Sequence, residues 1–196
     1  MRKIAVPLIV PLLLGACLTL VGCSKWLENP AKPANDAITV ANGHLMKAVS
    51  LETTIKAGAA ELDALPYTKT GATQGLALTA SLSDTLASEK KELEAAETAM
   101  GSIANLDVAP EFKQYAKLEA AAISTRITMT DTSARLYEAL DKLYSARKAK
   151  KGGSVDPQQV MTVIGQIKTE LSGLTDQAVA ETKAASDYFI AHKLGG

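Results

Sequence analysis

Little in this chain of 196 residues is of the kind from which reactive sites are built. It has two cysteines, Cys17 and Cys23, both near its start. No later thiol exists to form a disulfide framework or a zinc site. Its two histidines, His44 and His192, lack the Glu-x-x-His pairing of a ferritin-like di-iron bundle. A place on the surface, or a satisfied place in the core, is expected of each. No Gly-x-Ser-x-Gly elbow occurs, and no Gly-rich loop follows a strand. No metal, cofactor or catalytic set is therefore expected, and an enzyme is the least favoured class. Aromatics make up 4% of the chain. So few rings among so much alanine speak against a sandwich or barrel and for close-packed long helices. Lys plus Arg number 21 against 21 Asp plus Glu. Without a basic stripe there is no reason to expect nucleic acid, nor attraction to anionic lipid.

What is present begins with an apolar leader. Arg2 and Lys3 supply a short positive start, and Ile4 to Leu20 is almost unbroken apolar sequence. Pro7 and Pro11 interrupt it. Cys23 ends it at about 20 residues, marginal for a membrane span, and no positive stop-transfer flank follows. The stretch Leu20-Val21-Gly22-Cys23, followed by Ser24, resembles the lipobox of bacterial lipoproteins. That resemblance implies a signal peptide over residues 1–22 and lipidation at Cys23. Gly22 is small enough to let a peptidase approach the backbone, and the Cys23 thiol would take the diacylglycerol. Leu14-Gly15-Ala16-Cys17 is a poorer match, since apolar Leu18 follows it. An uncleaved anchor or an ordinary secretory signal is the alternative. Loss of Arg2 and Lys3 would leave 19 bases against 21 acids, a net charge of −2. In Gram-negative lipoproteins an aspartate after the cysteine resembles an inner-membrane retention signal. Ser24 at that position implies the outer membrane, facing the periplasm.

Residues 23–34 read as the lipidated cysteine and a tether, with Pro30 and Pro33 favouring extended chain. Trp26 within it is either a stray aromatic or an interfacial anchor. Residues 35–196 read as one all-α domain. A first helix starts at Asn35 or Asp36 and is ended by Pro66, with Leu65 pushed out of helical conformation. A turn over Tyr67 to Gly71 leads to a second helix from about Thr73 to Leu106. Pro110 opens a third, which carries two adjacent apolar stripes and reaches about Lys151. Asp156 or Ser154 caps a fourth, whose seam runs Val160, Ile164, Ile167, Leu171, Leu174, Ala178, Ala185 and Tyr188. Short connections favour antiparallel neighbours, and therefore an up-down-up-down antiparallel four-helix bundle, its helices roughly 45–60 Å long. Because the third and fourth helices look longer than the first, the hairpin around Gly152 is expected to overhang the Tyr67 turn. Leu140, Leu143 and Val160 would then be partly exposed.

Each helix also carries one charged residue on its apolar stripe: Glu52, Glu89, Arg126 and Glu181. Residue counting puts all four at one height within about a turn. Helix order suggests that Arg126 pairs with Glu89 or Glu181. Three carboxylates cannot all be buried charged beside one guanidinium, so at least one should stay hydrated or hold its proton. A ligand or cation site is a second reading of this layer. In a third, small neighbours such as Ala178 and Ala185 rotate the charges to the bundle edge. Ser124 to Ser133, rich in hydroxyls, either bonds back to its own helix or lines a polar groove.

Two function classes survive. One is a non-catalytic lipoprotein, held to the membrane by acyl chains on Cys23, whose bundle has a structural role or holds a protein partner in the cell envelope. The other is a bundle that binds a small molecule or lipid in a pocket of several hundred Å³ between its helices.

Overall fold

The computed structural model describes residues 31–66, 68–149 and 156–194. Cys17, Cys23, Trp26, Pro30, Tyr67 and Gly152 lie outside them. Four helices follow in chain order: α1 (Lys32–Ala64), α2 (Lys69–Ser102), α3 (Pro110–Lys148) and α4 (Pro157–Ala191). A short 3-10 helix, Ile103–Asn105, extends α2. No strand occurs among the described residues.

Local chemistry explains most of the ends. Leu65 has φ −65° and ψ 136°, the extended conformation imposed by the proline after it. Thr68 caps α2, its hydroxyl accepting from the Gly71 amide at 3.1 Å. Asp156 does the same for α4 through the Gln158 amide at 2.8 Å. Pro110 and Pro157 sit in first turns, where a missing N–H costs nothing. The chain leaves α4 with Lys193 at φ 52° and the Leu194 amide donating to the Phe189 carbonyl, so the last turn closes without a glycine.

Two helices start earlier than the sequence suggests. α1 begins at Lys32 because Pro33 is accommodated in the first turn, and no side chain caps it. α2 begins at Lys69, since Thr68 rather than a residue near Thr73 supplies the cap. That early start brings two helix ends very close: a Cβ on Gly71 would stand 2.0 Å from the Pro66 carbonyl oxygen.

The bundle is up-down-up-down, and its apolar clusters show the direction of each helix. One cluster joins Ile38 at the start of α1, Met100 and Ile103 at the end of α2, Phe112 at the start of α3 and Phe189 at the end of α4. The other joins Leu62, Leu82, Tyr137, Leu143 and Ile164 at the opposite end. α1 packs on α2, α2 on α3 and α3 on α4, while the backbones of α1 and α4 approach less closely. The two stripes of α3 follow from its place between α2 and α4, which buries both Leu136 and Tyr137.

Two expectations are corrected. Leu140, Leu143 and Val160 are buried, not partly exposed. Leu62, Leu65, Ala72 and Leu76 cover that end, and Tyr144 fills it. On α4 the buried positions beyond Ile167 are Thr175, Ala178, Ala185 and Phe189. Thr175 and Phe189 each stand one residue beyond Leu174 and Tyr188 of the expected seam. A straight helix of 3.6 residues per turn drifts by about 20° per heptad against a 3.5-residue repeat, which moves burial to the next residue.

Candidate functional site

The two apolar clusters are separated along every helix by polar side chains. Glu52 lies between Ala48 and Ile55, Glu89 between Leu86 and Leu93, and Arg126 between Ile123 and Leu136. Glu181 lies between Leu171 and Ala185. Among the described residues, five of the six buried polar ones, Glu89, Thr125, Thr130, Thr132 and Thr175, belong to this mid-bundle zone; Thr79 is the sixth. A polar layer of this kind is tolerable only where its members satisfy one another.

Satisfaction is uneven. Arg126 Nη2 approaches Glu52 Oε2 at 3.4 Å, with side chains 14% and 20% exposed. The expected partners were Glu89 or Glu181, on neighbouring helices. The long guanidinium side chain instead spans from α3 to the diagonal helix α1. Glu181 is held by hydroxyl and amide: Thr125 Oγ1 donates to its Oε2 at 2.6 Å, and Gln177 Nε2 to its Oε1 at 2.9 Å. Gln177 also donates to Thr125 Oγ1 at 3.2 Å, closing a small ring of bonds between α3 and α4.

Glu89 is the exception. Its residue is 6% exposed, and among the described residues it makes no direct hydrogen bond or ion pair. Burial, reinforced by the negative charge of Glu52 and opposed by Arg126, pushes its carboxyl up to about 7. Glu119, one residue the sequence reading passed over, joins the same field. Burial raises its carboxyl, and Arg126, two turns along α3, opposes the rise. A signal was there: the stripe from Tyr115 to Ala122 steps over Glu119, which lies one helical step from each. Thr125 lay within the hydroxyl-rich segment, but Gln177 had no signal, since an amide on a helix flank gains its role only from what stands opposite.

The hydroxyl-rich segment divides between its two readings. Thr128 and Thr130 bond back to carbonyls of their own helix. Thr125 and Thr132 cross to α4, Thr132 donating to Glu170 Oε1 at 3.2 Å, where Arg135 Nη1 also binds at 2.9 Å. Elsewhere, Lys90 reaches across to Asp131 at 2.8 Å and also pairs, more loosely, with Glu94 one turn on at 4.0 Å. His44 Nδ1 pairs with Glu92 Oε2 at 2.6 Å, and that bond holds the Glu92 carboxyl below its usual range. His192 stacks on Tyr188 with ring centroids 4.1 Å apart.

Among the described residues, no group of three or more His, Cys, Asp and Glu side chains is placed to hold a metal ion. None of the described helices is long and apolar enough to cross a membrane. The described residues form, among others, two open surface grooves. The larger, about 440 Å³, runs along the α2–α3 end past Met100, Pro110, Lys113, Gln114 and Lys117. A smaller one of about 260 Å³ lies by Thr79, Tyr137 and Asp141.

The large apolar side chains left exposed are Val40, Met46, Val163, Val179 and Ile190. All five belong to α1 and α4, the pair whose backbones stay apart. Each residue turns a helix by about 100°. Val179 therefore lies on the flank of α4 away from Gln177 and Glu181, which meet α3, and Ile190 shares that flank. Met46 stands nearly opposite the buried Ala41 and Ala48 and so faces outward from α1.

No protein-family model, curated protein or solved structure matches this chain.

Proposed function

We propose that this chain is a bacterial lipoprotein, anchored through acyl chains on Cys23 and facing the periplasm from the outer membrane, whose bundle serves a non-catalytic role as a docking or structural element of the cell envelope. The lipobox-like stretch ending at Cys23 supports the anchor, and Ser24 after it supports the outer membrane. One structural observation carries the interaction role: Met46, Val179 and Ile190 stand 62%, 49% and 62% exposed, all on α1 and α4. Large apolar side chains left exposed on two of four helices, while the other two expose none, suit a protein contact on that side. The remaining surface of α2 and α3 leaves no large apolar side chain exposed among the described residues.

Photo-crosslinkers at Met46 and Val179, with controls at Lys91 and Gln114, test this in intact cells. One reproducible protein captured at Met46 and Val179 and not at the controls is expected. Equal capture at all four positions, or none at any, would defeat the interaction role.

A ligand-binding bundle is the second reading, and the groove beside Lys113 and Lys117 is the observation in its favour. Two cations beside an apolar wall suit a small anionic amphiphile. Lipid that co-purifies with the chain and is lost on Lys113→Glu with Lys117→Glu would favour it over the first reading.

A further inference from the structure

The polar layer holds one base and several acids. Glu52 occupies Arg126 at 3.4 Å, and Glu181 is satisfied by Thr125 and Gln177. The charged and titratable groups that bear on Glu89 are Glu52 from α1 and Arg126 and Tyr137 from α3. On its own helix, Lys90 is turned to Asp131. From α4, Glu181 stands in the same layer with its carboxylate already held. Glu89 is thus enclosed between two apolar clusters, beside a carboxylate and without a cation of its own. A metal ion would need several donors converging, and no such group is found among the described residues. A proton needs neither space nor further ligands.

We propose that Glu89 is a reversible proton-binding site that locks the middle of the bundle. With the proton on the carboxyl, a neutral side chain completes the seal between the two apolar clusters. When the proton passes to bulk water, the carboxylate is repelled by Glu52 and driven toward solvent, and the middle of α2 loosens. The device is intrinsic to the fold and does not depend on where the chain resides.

Its pH window follows from linkage. In the unfolded chain the carboxyl titrates near 4.5, and in the folded chain near 7. Between these values the folded chain holds more proton than the unfolded one, so stability falls as pH rises. The contribution is complete below 4.5, is lost through about 7, and is level above that.

Thermal unfolding of the full chain in mild detergent, followed by circular dichroism from pH 5 to 8.5, tests the proposal. The midpoint temperature should fall from pH 5 to about 7 and level off above that, and Glu89→Gln should flatten the curve and melt higher than wild type at pH 8.5. Difference infrared spectra should show a protonated carboxyl band that fades around pH 7 in wild type and is absent from Glu89→Gln. Should that variant fail to fold, Glu52→Gln provides the reading, because removing the neighbouring charge should move the infrared transition to lower pH. A level wild-type curve, a slope that persists in Glu89→Gln, or an infrared transition unmoved by Glu52→Gln would overturn the proposal. Stabilisation at pH 8.5 by calcium chloride over sodium chloride of equal ionic strength, lost in Glu89→Gln, would overturn it in favour of a metal site.

Discussion

Arg126 on α3 reaches Glu52 on α1 at 3.4 Å, across the bundle from one diagonal helix to the other. This pair joins two helices that are not consecutive in the chain and whose backbones do not pack closely on each other. Both side chains are mostly but not fully out of water, so the pair stands between the surface and buried limits. Arg126→Ala should therefore cost roughly 1–3 kcal/mol, read from chemical denaturation. It should also raise the Glu89 carboxyl further, because Arg126 opposes that rise. A variant as stable as wild type would mean that the pair contributes nothing.

Gly75 lies against the Tyr144 ring. A Cβ there would stand 2.7 Å from three of the ring carbons, and Tyr144 is 6% exposed, with little room to move. Gly75→Ala should lose about 1–3 kcal/mol by overpacking, even though alanine favours the helix by up to about 1 kcal/mol. Combining it with Tyr144→Leu should recover part of the loss, as a double-mutant cycle would show. Stabilisation by Gly75→Ala alone would place the ring elsewhere.

Thr125→Val keeps the volume and removes the hydroxyl that donates to Glu181 at 2.6 Å. A loss of about 1–2 kcal/mol is expected, with Gln177 left to hold the carboxylate. In Gln177→Leu the same Thr125 substitution should cost more than in wild type, because no second donor then remains. Simple additivity of the two changes would contradict the ring of bonds.

Lys90 and Asp131 form a short pair, yet side-chain exposures of 35% and 54% leave it in contact with water. Lys90→Ala should change stability little, and less still at high salt. A larger loss in a salt titration of the unfolding midpoint would reveal a coupled network.

Lipidation has its own test. Cys23→Ala should abolish labelling by a palmitate analogue and leave a larger, unprocessed chain in the membrane fraction. Labelling that survives in Cys23→Ala and disappears in Cys17→Ala would move the anchor to the other cysteine.

Helix number, helix order and most helix ends were legible in the sequence, because each rests on chemistry within a few residues. Pro66 bends Leu65 wherever the helix later packs, and Pro110 and Asp156 open helices without help from elsewhere. Charge on an apolar stripe was legible in the same way, since 3.6-residue spacing alone put Glu52, Glu89, Arg126 and Glu181 at one height. The early start of α1 was not, because it depended on whether Pro33 would enter the first turn. Nor was the burial of Leu143, which depended on Tyr144 and the neighbouring helix ends closing over it.

Pairing within the layer belonged to tertiary structure alone. Residue counting set the height of each side chain but not its direction or reach. Glu52 sits on a diagonal helix, yet the length of an arginine side chain spans that distance. Once Glu52 and Arg126 had met, Glu89 was left among apolar residues with no cation. Local sequence thus determined which elements form and where their charges sit along the axis, through interactions that act over a turn or two. Packing across the axis decided which charge is neutralised by an ion pair and which must rely on a proton, because desolvation and Coulomb energy depend on distances between residues far apart in the chain.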